Sequence, residues 1–297
     1  MPLLAQEAAK LSENDLVRGV IEEFIQTDNL FEMLPFAETE GKAYVYNREK
    51  TLAQGDWLDP NQDVNESAST FDEITTKLRI LIGDVDVDKF LNNVQSDANS
   101  QKAIQIASKV KGMSMQFRDA LVNGSTANKQ FNGLKNLVPS AQTITTAADG
   151  NALSLSMLDE LLDACELGAD AILMRKDMYR AYKALLRSLG GTTPDFVTLP
   201  SGLTMPSHDG VPIMVNDKIE TEAKGTSDKT SKLYAVNFDE ASGLHGLYGG
   251  QGTAGFVLED LGTVQNRDAT RTRIKMYCGM ALKSTKAVSA VEGVIAS

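Results

Sequence analysis

Apolar positions along the chain change their period several times, and each change marks an element. Leu16, Val17, Val20, Ile21, Phe24 and Ile25 recur at helical spacing behind Ser12, a predicted N-cap with Asp15 three residues on. This amphipathic helix ends by Pro35. Carboxylates outnumber cations within it, so it does not read as a basic arm for phosphates. From Lys42 to Arg48 the reading switches to strand, because Tyr44, Val45 and Tyr46 are good strand formers. Residues 51–67 form a polar loop punctuated by Gly, Pro, Asn and Asp. A long strand follows, with Ile74, Leu78, Ile80 and Ile82 on one face and Glu73, Lys77 and Arg79 on the other. Two strands joined by such a loop read as a hairpin arm. Loops of that length are uncommon in compact domains and are usually functional or disordered.

Ser96 or Asp97 then caps the longest predicted helix. Ala103, Ala107, Val110, Met113, Phe117 and Leu121 mark its buried stripe, and Asn123-Gly124 stops it. A helix over 97–123 would run about 40 Å, more than one small domain needs. From about residue 140 helices and strands alternate. Helices are predicted over Leu153–Gly168 and Lys176–Leu189, and a short buried strand over Ala169–Met174. Pro200–Val215 reads as a strand pair turning at His208-Asp209-Gly210, and Lys232–Phe238 as another strand. Ile274, Met276, Cys278, Met280 and Leu282 alternate strictly, so the chain is expected to close on one long strand.

Composition narrows the function classes. The chain has 297 residues, enough for one or two domains. Its 29 Lys and Arg against 40 Asp and Glu leave a formal charge of −11. That balance argues against base readout as the main task. Two cysteines, Cys165 and Cys278, make no disulfide framework and read as reduced buried thiols. The N-terminus lacks the pattern of a signal peptide, and no apolar run reaches membrane-spanning length.

Candidate chemistry is sparse. Gly250-Gln251-Gly252-Thr253-Ala254-Gly255 matches the dinucleotide fingerprint, which needs a helix right after it to hold the pyrophosphate. Phe256-Val257-Leu258 follows instead, so a flexible glycine loop is the expected reading. Asp84, Asp86 and Asp88 alternate with valines. A calcium loop begun at Asp84 would need Gly and Glu where Lys89 and Gln95 stand, so the three read as the solvated face of a strand. His208 and His245 are the only histidines. A nucleophile pair with Cys165 would need an adjacency that the sequence does not show, and Cys165 beside Leu161 and Leu162 reads as a packed thiol. No acid–base set can be named, so the chain is expected to be no enzyme, with no cofactor and no metal. Trp57, the single tryptophan, sits with Leu58 in the polar loop, either packed on its own hairpin or anchoring a partner.

The order of elements resembles the major capsid proteins of tailed bacteriophages, the Hong Kong 97 fold. The residues that carry the resemblance are the long helix to Asn123 with Gly124-Ser125-Thr126, then Phe131-Asn132-Gly133-Leu134; Ala169–Met174 followed by a helix; Gly210–Asn216; and the closing strand Thr272–Ser284. The resemblance implies an α+β fold. It would have an N-terminal arm (1–39), an extended β-hairpin loop (40–82), a peripheral domain with a spine helix (83–139), an apical α/β domain (140–265) and a closing peripheral strand (266–297). It implies a shell subunit that self-assembles through pentamers and hexamers around double-stranded DNA. It also implies a separate scaffolding protein, a portal and optionally a decoration protein as partners, no membrane, and a virion capsid assembled in the host cytoplasm. On this reading Arg48, Trp57, Leu58, Lys77, Arg79, Asp84, Asp86 and Asp88 are interface candidates, with the cations of one hairpin meeting the aspartates of a neighbour. The alternatives are an encapsulin-like compartment, a tail or decoration protein, and a nicotinamide-dinucleotide enzyme using Gly250–Gly255.

Overall fold

The computed structural model describes residues 30–51, 53–58, 63, 66–89, 98–190, 195–199, 202–250 and 256–296. The helix expected behind Ser12, the Ser96/Asp97 cap, and Gln251–Gly255 of the glycine motif lie outside them. The described chain opens with a one-turn helix, α1 (Leu30–Met33), and strand β1 (Phe36–Glu38). The hairpin follows as β2 (Ala43–Thr51) and β3 (Thr70–Lys77), then β4 (Arg79–Asp88), the long helix α2 (Ala98–Asn123) and one turn of α3 (Leu134–Leu137). The alternating half runs through β5 (Thr143–Thr145), β6 (Asn151–Ala152), α4 (Leu155–Asp163), β7 (Ala171–Met174), α5 (Lys176–Ser188), β8 (Asp195–Thr198), β9 (Thr204–His208) and β10 (Val211–Val215). It continues through β11 (Thr221–Lys224), β12 (Ser227–Val236), β13 (Leu244–Tyr248), β14 (Phe256–Thr263), β15 (Ala269–Leu282) and β16 (Val288–Ile295).

Three sheets result. In the five-stranded sheet β15 is central, with β4 pairing it antiparallel and β13 and β14 also on it; β1 lies parallel on β13. The alternation of β15 turns Ile274, Met276, Cys278 and Met280 to one face. There they pack with Val85 and Val87 of β4 and with Val110, Met113, Phe117 and Leu121 of α2. Gly83 allows the close crossing, since a Cβ there would lie 2.6 Å from Lys109 Cε. The nine-stranded sheet runs β5-β16-β12-β7-β10-β9-β8, with β11 on β12 and β6 on β16. Parallel β7 and β10 are joined through α5. Leu158 and Leu161 of α4 join Met178, Ala181 and Tyr182 of α5 in one core with Ile172, Met174 and Ile213. The β9–β10 turn falls at Asp209 (φ 50°) and Gly210 (φ 79°), the left-handed pair that tight hairpins require. The third sheet is the β2–β3 ribbon alone.

Several expectations are corrected. The chain does not close on β15: after it, β16 crosses to the nine-stranded sheet and pairs with β12. That strand is buried almost throughout, so it shows no alternation, and Gly293 (φ 81°) interrupts it. Conversely β13 and β14, expected with the alternating half, belong to the five-stranded sheet. The end of the expected arm is part of the chain's own core, where Leu30, Leu34 and Phe36 are buried. The strand through Ile82 breaks at Leu78, and beyond the break the faces exchange. Ile80 (64% exposed) and Ile82 (48%) turn outward, because pairing with β15 aims Val85 and Val87 at α2. On α2, Ala103 is exposed and Ile106 is buried in its place, one helical repeat before Val110.

Candidate subunit interface

The hairpin leaves the body at Ala43 opposite Lys77 and is paired out to Thr51 opposite Thr70. Its base is tied down. Tyr46 is buried and donates from its hydroxyl to the Leu282 carbonyl at 2.7 Å. Arg48 donates to the carbonyls of Leu282 and Lys283. Tyr44 stands edge-on to His245 with ring centroids 5.8 Å apart. Tyr46, Ala37, Leu247 and Ala281 form a small core with Tyr44, Ile74 and Leu78 packed against it. Arg48 is thus engaged within its own chain.

Outward from that base the ribbon is bare. Phe71 and Leu58 are exposed and Trp57 is 102% exposed, as is Val45 on the outer face of the base itself. A two-stranded ribbon is marginal in water without further packing, so the body and whatever covers the tip must hold it.

The aspartates have partners on the neighbouring strand. Register puts Asp84 opposite Arg273 and Asp86 opposite Arg271. Arg273 grips both Asp84 oxygens at 2.7 and 2.8 Å, and Arg271 both of Asp86 at 2.6 and 2.7 Å. Hydrogen bonds from these guanidiniums hold both carboxyls below the ordinary carboxylate range. Lys275 extends the ladder to Glu259 of β14 at 2.6 Å. The aspartates lie on the partly exposed face of β4, with a basic row opposite that the sequence reading overlooked. Its signal was the alternation Arg271, Arg273, Lys275, which mirrors Asp84 and Asp86. Asp88 is exposed at the end of β4, opposite Ala269. Among the described residues no cluster of His, Cys, Asp or Glu could hold a metal.

Lys77 is exposed at the hairpin base. Arg79 begins β4 half-buried, and its Nε is buried without a hydrogen-bond partner among the described residues. It borders a cavity of about 420 Å³ between β4, the C-terminal half of α2 and the loop through Phe131.

The groups weighed for catalysis are packed away. Cys165 and Cys278 are buried, which pushes their thiols up to about 11 and about 12. His208 bridges α4 and α5, with Nε2 at 2.9 Å from Asp159 and Nδ1 at 3.4 Å from Tyr182 Oη. His245 is fully buried, beside the Gly243 backbone and without a well-formed hydrogen bond among the described residues. Desolvation, then the Lys283 ammonium, pushes its pKa down to about 4. The glycine motif is followed by strand β14 rather than a helix, so the context for a pyrophosphate is missing. Among the described residues no helix is long and apolar enough to cross a membrane.

The ribbon protrudes bare beside the five-stranded sheet, which packs on the long helix α2. The chain belongs to the phage capsid family, whose model matches residues 9–293. Among solved structures it is similar to the holo-SrpI encapsulin complex of Synechococcus elongatus PCC 7942, with TM-score 0.72 and 20% identity over 90% of this chain and 88% of that one. It is also similar to the capsid of a native GTA particle (0.63, 14%, 91% of each chain). A chain of Mycobacterium phage Bobi gives 0.61 at 13% identity over 100% of both. No curated protein matches the chain.

Proposed function

We propose that this capsid subunit builds the head of a tailed phage, closing through pentamers and hexamers into an icosahedral shell around double-stranded DNA. A separate scaffolding protein and a portal are its assembly partners, with a decoration protein optional, and assembly takes place in the host cytoplasm. Its role is structural rather than catalytic. The observation that carries this reading is the hairpin, anchored at Tyr46 and Arg48 yet bare at Val45, Trp57 and Phe71. Apolar surface presented in that way becomes stable when a second subunit covers it. Sheet membership supports a division into a peripheral unit (the five-stranded sheet with α2) and an apical unit (the nine-stranded sheet with α4 and α5). Trp57, Leu58, Lys77 and Arg79 are the interface residues of this proposal, while Asp84 and Asp86 serve the subunit's own sheet.

Negative-stain microscopy of the chain, expressed alone and with its neighbouring head genes, tests the proposal. Hollow shells of uniform diameter are expected. Rings, trimers or monomers under every condition would overturn it. The likeness to an encapsulin favours one second reading, a shell that holds protein cargo. Nuclease-protected DNA inside native particles supports the phage head; protein cargo without DNA supports the other.

A further inference from the structure

We infer that Trp57 of one copy inserts into the cavity beside Arg79 of a second copy; the inference rests on the shell-forming reading above. The two halves of the contact are both unfilled within one chain. Trp57 is 102% exposed. The cavity, about 420 Å³, is lined by Arg79, Ile80, Leu81, Phe117, Ala120 and Phe131. Its volume lies within the roughly 300–1,000 Å³ of small-molecule pockets, so an indole side chain has room in it.

The apolar part of the lining suits an indole, with Asp119 and Lys129 as the charged groups beside Arg79. Phe117 and Phe131, with centroids 5.2 Å apart, supply apolar and edge contacts. The guanidinium of Arg79, whose Nε has no hydrogen-bond partner among the described residues, supplies a cation for the ring face. Gln116 and Gln130 at the cavity rim can accept the indole N–H, which needs an acceptor once buried.

The chain's own tryptophan does not fill the cavity, since Trp57 stands fully exposed on the hairpin loop. Arg79 lies at the hairpin base, two residues from the end of β3. The nine residues of β2 carry the ribbon roughly 30 Å away before Trp57 is reached. In a shell of identical copies, the exposed tryptophan of a second copy is the occupant this inference assigns.

The chain has one tryptophan, so its emission reports this site alone. The full chain is assembled into particles and compared with dilute subunits. Assembly is expected to shift the emission to the blue, as water leaves the ring. Trp57→Ala is expected to raise the subunit concentration needed for assembly by about tenfold or more, with monomer melting unchanged. Gln116→Phe fills the cavity from its exposed rim and Arg79→Gln removes the cation; both are expected to weaken assembly and reduce the blue shift. Particles that form with red emission, or a blue shift that survives Gln116→Phe, would overturn this inference and leave the shell reading intact. A wild-type chain that never assembles would overturn the shell reading itself and this inference with it.

Discussion

Arg273 and Asp84 face each other across two strands that lie 189 residues apart in sequence, joined by two parallel hydrogen bonds of 2.7 and 2.8 Å. Arg271 repeats the arrangement with Asp86, and lies within 3.8 Å of Asp84 as well. Together they lock β4 to β15 in register, since a one-residue slip would turn every aspartate to the other face.

Removing both guanidiniums in Arg271→Gln/Arg273→Gln should lower the melting temperature. All four side chains are part-exposed, so the loss should shrink in about 1 M salt, where surface pairs are screened. Both carboxyls titrate below their ordinary range in the folded chain. Their stabilisation is therefore complete above the unfolded carboxylate pKa, and is lost as pH falls through the lower folded value. Thermal melts across pH and salt check this; a salt-independent difference would contradict it.

The loop that closes on the end of α2 depends on two glycines. Gly133 donates its N–H to the Gly124 carbonyl at 2.8 Å. A Cβ at Gly133 would meet the backbone oxygen of Ala120 at 2.6 Å, and one at Gly124 the same oxygen at 2.2 Å. These contacts are to backbone, which cannot swing aside. Gly133→Ala is thus expected to cost about 1–3 kcal/mol in urea unfolding. Gly112, exposed in the middle of α2 with open space around it, is the control. Gly112→Ala should instead stabilise by up to about 1 kcal/mol.

His245 makes the fold acid-sensitive. It lies beneath Tyr44, and Lys283 and Asp239 are the charged groups that act on it. With its pKa near 4 in the folded chain and about 6.5 unfolded, the unfolded chain takes up a proton that the folded chain refuses. Stability is complete above about pH 6.5 and falls toward pH 4, by on the order of 3 kcal/mol. His245→Leu should flatten that part of the profile, and urea titrations at pH 7 and 4.5 measure the difference. Equal acid losses in wild type and variant would contradict this account.

Local chemistry made much of the fold legible. Val110, Met113, Phe117 and Leu121 repeat at helical spacing, and α2 is built on them. Asp209-Gly210 announced its hairpin, because few residues accept positive φ. Asp84 and Asp86 alternate with valines, and the strand keeps that division. Each of these rests on a rule that acts within a few residues.

The rest was decided by contacts between segments far apart in the chain. Nothing near Val288 says that it pairs with Val236 in a second sheet, since a strand buried on both faces loses its period. Ile80 and Ile82 look like core by composition, yet pairing with β15 turns them outward. Arg48 and Asp84 read equally well as contacts to another copy. The tertiary structure spends them inside the subunit, because Leu282 and Arg273 arrive beside them only once the chain has folded. Sequence determined the long helix, the Asp209-Gly210 turn and the alternation of β4 and β15, since propensity and periodicity are local. The fold alone chose their partners, since pairing energy is gained only where distant strands meet.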